Sequence, residues 1–293
     1  RTTDTLFSQL LHTLKEDKLH VAFVAEFSRG KSELINAIFF GDYGHRILPS
    51  SAGRTTMCPT ELFYNPAQAS CIQLLPIHTR HSHLSMQDYK DDAAAWTKIE
   101  INTQSTEQMQ LAFSKVSETC LVDSHTAQEY GLFDPANPDY TFALRPDGRV
   151  EIPAWRHAMI NFPHPLLKQG LVILDTPGLN ALGSEPELTL NLLPKANAVV
   201  FILSADTGLT KSDHDIWRHH IADKYHSQRG RLIVLNKIDS MWDDLKTPQA
   251  IQTEIQKQIT TTAKQLGVPT DCVFPIAAQK ALLAKIQEDE DLF

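Results

Sequence analysis

The chain has 293 residues, with 27 Lys and Arg against 35 Asp and Glu, a formal net charge of −8. At 42% hydrophobic and 21% charged residues, it has the composition of a globular chain long enough to bury a core, not that of a disordered tail. The acidic balance argues against nucleic-acid binding, which draws on a basic patch. No apolar run reaches the roughly 18–20 residues of a membrane-spanning helix. Cys58, Cys71, Cys120 and Cys272 are scattered without a CxxC pair, so reduced thiols and a cytoplasmic location are expected.

Residues 1–18 read as a helix, with Leu6, Phe7, Leu10, Leu11 and Leu14 on one face and Thr3 and Asp4 as cap candidates. We therefore set residues 1–20 apart as an N-terminal helix and take 21–293 as the main domain. Val21–Ala25 reads as a buried strand and Ser32–Phe40 as a helix. Residues 66–150 then break the rhythm and read as an insertion. Residues 78–150 carry 6 basic against 11 acidic side chains, which is most of the chain's charge excess. Within the insertion, Ser105–Leu121 is expected to be helical, with Ser105 and Gln108 as a capping pair and Met109, Phe113, Val116 and Cys120 on one face. Leu171–Leu174, Ala198–Leu203, Arg231–Leu235 and Cys272–Ile276 read as further strands. Ser212–Tyr225, with Ser212 and Asp215 at capping-box spacing, and Gln249–Leu266 read as helices between them. The expectation is an α/β domain with a doubly wound, mostly parallel sheet and helices on both faces.

Gly30-Lys31-Ser32 lies between a strand and a helix, the setting of a phosphate-binding loop, here spanning Ala25 to Ser32. Loop N–H groups would cradle the β-phosphate, Lys31 would neutralise β/γ oxygens, and the Ser32 hydroxyl would bind Mg²⁺. Glu26, Phe27, Ser28 and Arg29 complete the loop, and Ala25 replaces its usual first glycine. Asp175-Thr176-Pro177-Gly178 follows a strand and suits a nucleotide switch: Asp175 holding Mg²⁺ through a water, the Gly178 N–H sensing the γ-phosphate. In Asn236-Lys237-Ile238-Asp239, Asp239 can accept from guanine N1–H and the 2-amino group, which selects GTP over ATP. Asn236 would brace the loop and the Lys237 stem would cover the base. Ala278, through its N–H, and Gln279 would close the base pocket. In Thr55-Thr56-Met57-Cys58-Pro59-Thr60, Thr56 is the candidate first-switch threonine on Mg²⁺. Each motif falls at the C-terminal end of an expected strand, where open α/β sheets bind ligands.

With these residues in hand, the chain resembles the dynamin superfamily of large GTPases, most closely the bacterial dynamin-like proteins. The resemblance rests on Glu26-Phe27-Ser28-x-Gly30-Lys31-Ser32, Leu48-Pro49, Thr55-Thr56-x-x-Pro59-Thr60 and Leu174-Asp175-Thr176-Pro177-Gly178-Leu179. It implies a P-loop GTPase that binds GTP or GDP with Mg²⁺. It implies that Thr56 contacts both the metal and the attacking water, and that Ser28 contacts the β–γ bridge. Phe27 stands where eukaryotic dynamins place a water-positioning Gln. Leu179 stands where Ras-like proteins carry a catalytic Gln and cannot orient water. The resemblance therefore implies help from a potassium-type cation and from a second copy of the domain, paired across the nucleotide. Asp206 is either a contact across that pair or an ordinary Asp-x-Gly turn. Arg29 is either a cis arginine finger, which would add it to the catalytic set Lys31, Ser28 and Thr56, or a solvated or salt-bridged arginine.

His78, His81 and His83 lack a fourth metal ligand nearby. The four tryptophans read as core or edge residues. Two functions fit: a mechanoenzyme that remodels membranes through a stalk, at the inner face of a membrane, or a slow regulatory GTP switch acting on protein partners. The chain is too long for a minimal GTPase and too short to hold a stalk, so it is expected to be an excised GTPase domain. Lipid contacts would belong to missing regions.

Overall fold

The computed structural model describes residues 18–49, 58–82, 84–136, 142, 144–177, 193–222, 230–243 and 245–289. The expected N-terminal helix, Thr56, Gly178 and Leu179 lie outside the described residues.

Strand β1 (Leu19–Ala25) lies inside a nine-stranded sheet, next to its central strand. Its β-branched and aromatic residues alternate between faces: Val21 and Phe23 enter one core, Ala22 and Val24 the other. The chain next forms α1 (Lys31–Ile35), continued as a π-helical turn over Asn36–Phe40. Three strands follow: β2 (Thr60–Phe63), β3 (Cys71–Pro76) and, after α2 (Met86–Asp91), β4 (Thr97–Glu100). Then come α3 (Thr106–Ser114), β5 (Thr119–Asp123), α4 (Ser124–Glu129), β6 (Arg149–Pro153), β7 (Trp155–Asn161) and α5 (Pro165–Lys168). The remainder alternates: β8 (Leu171–Asp175), β9 (Ala198–Ser204), α6 (Lys211–Ile216), β10 (Arg231–Asn236), α7 (Pro248–Leu266), β11 (Val273–Pro275) and α8 (Ala278–Gln287).

The sheet order is β11-β10-β9-β1-β8-β2-β7-β3-β4. From β11 to β8 every pairing is parallel. Strand β2 turns antiparallel to β8, and β3 is antiparallel to both β7 and β4. The 66–150 segment therefore does two things. Its first strands lengthen the main sheet, and β5 and β6 pair as a separate ribbon over a small core of Ala127, Leu132, Phe142, Val150 and Ile152.

Two expected helix features need correction. The Ser105–Leu121 helix ends at Ser114, followed by one tight turn, Lys115–Ser117. Cys120 leaves the helix to pair with Ile152 in the ribbon, while Met109, Phe113 and Val116 stay in the core. The capping box of α6 is Thr210 with Asp213, two residues earlier than Ser212 and Asp215. All four cysteines are free, Trp96 and Trp217 are buried and Trp242 is exposed. Among the described residues no group of three or more His, Cys, Asp or Glu side chains could hold a metal ion, and no helix is long and apolar enough to cross a membrane.

Glu61 is buried between Lys90 and His157. Its carboxylate lies 2.7 Å from Lys90 Nζ and 3.1 Å from His157 Nε2. Burial alone would push this carboxyl up, but the bonds from His157 and Lys90 outweigh it and hold it well below the usual carboxylate range. A lowered folded value stabilises the fold above the unfolded value of 4.5, and that stability is lost as pH falls further. Glu61→Gln is expected to cost about 3 kcal/mol at neutral pH, since it removes the buried carboxylate that accepts from both Lys90 and His157. Urea unfolding should show the gap to the natural chain narrowing as pH drops below 4.5.

Candidate nucleotide-binding site

The C-terminal ends of β1, β8, β9, β10 and β11 form one edge of the parallel block, and the motif loops gather there. Ala25 is still in β1, opposite Ile202 of β9. An extended residue needs no glycine, which explains why alanine serves at the loop's entrance. The loop proper takes left-handed conformations at Ser28 (φ 61°) and Gly30 (φ 86°). The Leu34 N–H then bonds to the Gly30 carbonyl at 3.0 Å and starts α1. Ser28 is exposed, while Lys31 and Ser32 are buried at the first turn of α1.

The Lys31 ammonium is paired with the Asp175 carboxylate. Asp175 ends β8 and is in register with Phe23 of β1. Thr60, the described end of the first-switch segment, is opposite Asp175 across the antiparallel β2–β8 pair. The Thr176 hydroxyl donates to the Phe23 carbonyl at 2.9 Å and pins the end of β8 to β1. The Ser32 hydroxyl, on the first turn of α1, and the Asp175 carboxylate, at the end of β8, are hard oxygen donors. They fit a Mg²⁺ ion that keeps most of its ligands as water and phosphate.

Asn236 is the hinge between the phosphate and base sides. Buried at 2% exposure, it donates from Nδ2 to the Arg29 carbonyl at 2.9 Å and accepts at Oδ1 from the Ala278 N–H at 3.0 Å. The Ala278 N–H, expected to meet the base, is therefore taken up inside the protein. Lys237 is left-handed (φ 60°), its Nζ 3.1 Å from Asp206 Oδ2. Burial raises the Asp206 carboxyl, but bonds from Ser204 and Lys237 outweigh it and hold it below its ordinary value. Asp239 lies half-buried in the turn Ile238–Met241, and Gln279 is exposed on the first turn of α8.

Arg29, expected among the catalytic residues, is directed elsewhere. Its guanidinium is 2.5 Å from Glu26 and 2.8 Å from Asp213 at the start of α6. It is a buried ion-pair member, neither solvated nor free to act as a finger. Glu26 likewise spends its side chain on Arg29 and Ser212, leaving only its backbone for phosphate.

Sequence reasoning missed two residues. Asp213 carried only a helix-cap signal, shared with Asp215. Asn36 is fully buried and holds the chain at Ile47 and Leu48, accepting from both N–H groups and donating to the Leu48 carbonyl at 2.9 Å. A polar residue amid Leu34, Ile35, Ala37 and Ile38 was the available sign.

Fold and site together define a P-loop nucleotide-binding α/β domain of the GTPase type. The Dynamin family model matches residues 21–238, and the chain belongs to that family. A probable transmembrane GTPase, FZO-like and chloroplastic, of Arabidopsis thaliana is 33% identical over 125 residues, 42% of this chain and 13% of that protein. A bacterial dynamin-like protein of Nostoc punctiforme is 21% identical over 233 residues, 80% of this chain and 26% of that one. Among solved structures, one of an oligomerised bacterial dynamin pair superposes with a TM-score of 0.52 at 17% identity, covering 98% of this chain and 39% of that one. That likeness concerns the fold. The chain thus spans a minor part of these relatives' length.

Proposed function

We propose that this chain is the GTP-binding and GTP-hydrolysing domain of a dynamin-like protein. Hydrolysis is stimulated when two such domains pair, and it is coupled to membrane remodelling through regions outside this sequence. One observation carries the reading: Lys31, Ser32 and Asp175 stand at the same sheet edge as the Asn236–Asp239 loop, within a chain of the Dynamin family.

Lys31 would bind β- and γ-phosphate oxygens, and the loop N–H groups at the start of α1 would orient the triphosphate. Ser32 and Asp175 would hold Mg²⁺, joined by Thr56. The bound ion neutralises charge on the β- and γ-oxygens. Asp239 would accept from the guanine edge, with Lys237 over the base. Thr56 would orient the attacking water, Ser28 would contact the β–γ bridge, and the Gly178 N–H would meet the γ-phosphate. Leu179 has no group to position water, so a monovalent cation such as K⁺ and a second copy supply the remaining order. Asp206 is a candidate contact for that copy, already polarised by Lys237.

Turnover per molecule is expected to rise with protein concentration; constant, very slow turnover would instead support a regulatory switch without domain pairing. Asp239→Asn is expected to exchange guanine for xanthine preference by at least about tenfold, because one acceptor becomes a donor. Competition binding with GTP, XTP and ATP reads this directly, and unchanged selectivity would remove Asp239 from the base pocket.

A further inference from the structure

One buried charge cluster has no role in the reading above. Arg29 is 6% exposed and Asp213, 184 positions downstream, is 0% exposed. The Arg29 guanidinium also donates to the Thr207 hydroxyl and, at 3.4 Å, to the Thr210 hydroxyl. The same Asp213 oxygen accepts from the Thr210 N–H at 3.0 Å and its hydroxyl at 2.8 Å. Glu26 accepts from the Ser212 hydroxyl, and its other oxygen lies 3.2 Å from the Thr210 hydroxyl.

This arrangement carries a cost. Two carboxylates share one guanidinium, and the second Asp213 oxygen is buried without a hydrogen-bond partner. Burial raises the Asp213 carboxyl above its ordinary value, against the opposing Thr210 bonds and Arg29 charge. A helix cap alone needs no such burial, because Thr210 and Asp213 could cap α6 with Asp213 facing water.

The loop that the cluster holds needs holding. It contains the left-handed non-glycine Ser28, a conformation that persists only when its surroundings impose it. Arg29 is fixed at both ends, its carbonyl by Asn236 and its guanidinium by Asp213. The residues between Glu26 and Gly30 are therefore suspended between two buried anchors.

We propose that Asp213 is a positioning residue for the phosphate-binding loop, acting through Arg29 to hold Ser28 and the loop N–H groups in their phosphate-binding shape. The proposal rests on the GTP reading for its ligand, not for its geometry.

The test compares Asp213→Asn, Arg29→Ala and the double variant in the whole chain. Two quantities are read: hydrogen exchange of amides 26–32 without added nucleotide, and affinity for a fluorescent GDP. Asp213→Asn is expected to speed loop exchange and weaken GDP binding by about tenfold each, yet to change either by less than about twofold once Arg29 is alanine. Equal losses in both backgrounds, which independent structural damage would give, overturn the proposal. So does loop exchange at the natural rate in a folded Asp213→Asn. If Asp213→Asn does not fold, Arg29→Ala read alone against the natural chain takes its place, because it removes the guanidinium through which Asp213 acts. It should raise exchange about tenfold, and loop exchange at the natural rate there overturns the proposal. Absence of guanine-nucleotide binding by the natural chain would overturn the GTP reading. The exchange measurement needs no nucleotide, so it separates that failure from failure of the Asp213 role.

Discussion

Lys31→Ala is expected to lower affinity for Mg²⁺-GTP by at least about a hundredfold, the scale for removing one partner of a buried charge-assisted contact. Lys31 is held at the first turn of α1, 7% exposed, with its ammonium already drawn to Asp175. The pairing marks where its charge is delivered: the point where β1 and β8 end side by side. An incoming triphosphate would compete for the ammonium as its metal competes for the carboxylate. Each charge thus has a partner with and without ligand, which avoids the penalty of an isolated buried ion. The alanine variant breaks both arrangements and removes the ammonium from beside the buried Asp175. The melting temperature should therefore fall along with binding, and calorimetric titration at a temperature where the variant remains folded separates the two. Affinity equal to that of the natural chain would remove Lys31 from the phosphate site.

What the sequence disclosed follows from how local the controlling physics is. Gly30-Lys31-Ser32 after a β-branched run is legible because strand, turn and helix start are decided within ten residues. The same holds for Val199–Leu203 and Ile233–Leu235, unbroken apolar runs that are buried on both faces. The far side of the sheet was not legible. Thr97-Lys98-Ile99-Glu100 reads as a polar stretch because β4 is an edge strand, and β7 carries His157 and Asn161, which are buried only because Glu61 and the Asn65 region satisfy them. Cys120 keeps helical spacing from Val116, yet it is claimed by a strand partner 32 residues away. For α6, Thr210 with Asp213 and Ser212 with Asp215 fit the cap pattern equally well. Arg29 breaks the tie from the other end of the chain, and no local reading could see it.

Gly30→Ala is expected to be the most damaging small substitution in the loop. A non-glycine residue at φ 86° costs about 1–2 kcal/mol by itself. The added Cβ would also stand 2.2 Å from Asn236 Nδ2, and Asn236 cannot retreat cheaply. Its amide nitrogen is committed to the Arg29 carbonyl and its oxygen to the Ala278 N–H. Moving it unties the phosphate loop from both β10 and α8, so the total loss should reach about 3–4 kcal/mol, with nucleotide binding lost as well. Gly44 supplies the control: its φ is 71°, but nothing lies within 4 Å of where its Cβ would be. Gly44→Ala should cost only the backbone share, about 1 kcal/mol. Denaturant unfolding of the two variants side by side then isolates the contact with Asn236. Equal costs would mean that Asn236 yields freely, and that the two halves of the site are not held together through it.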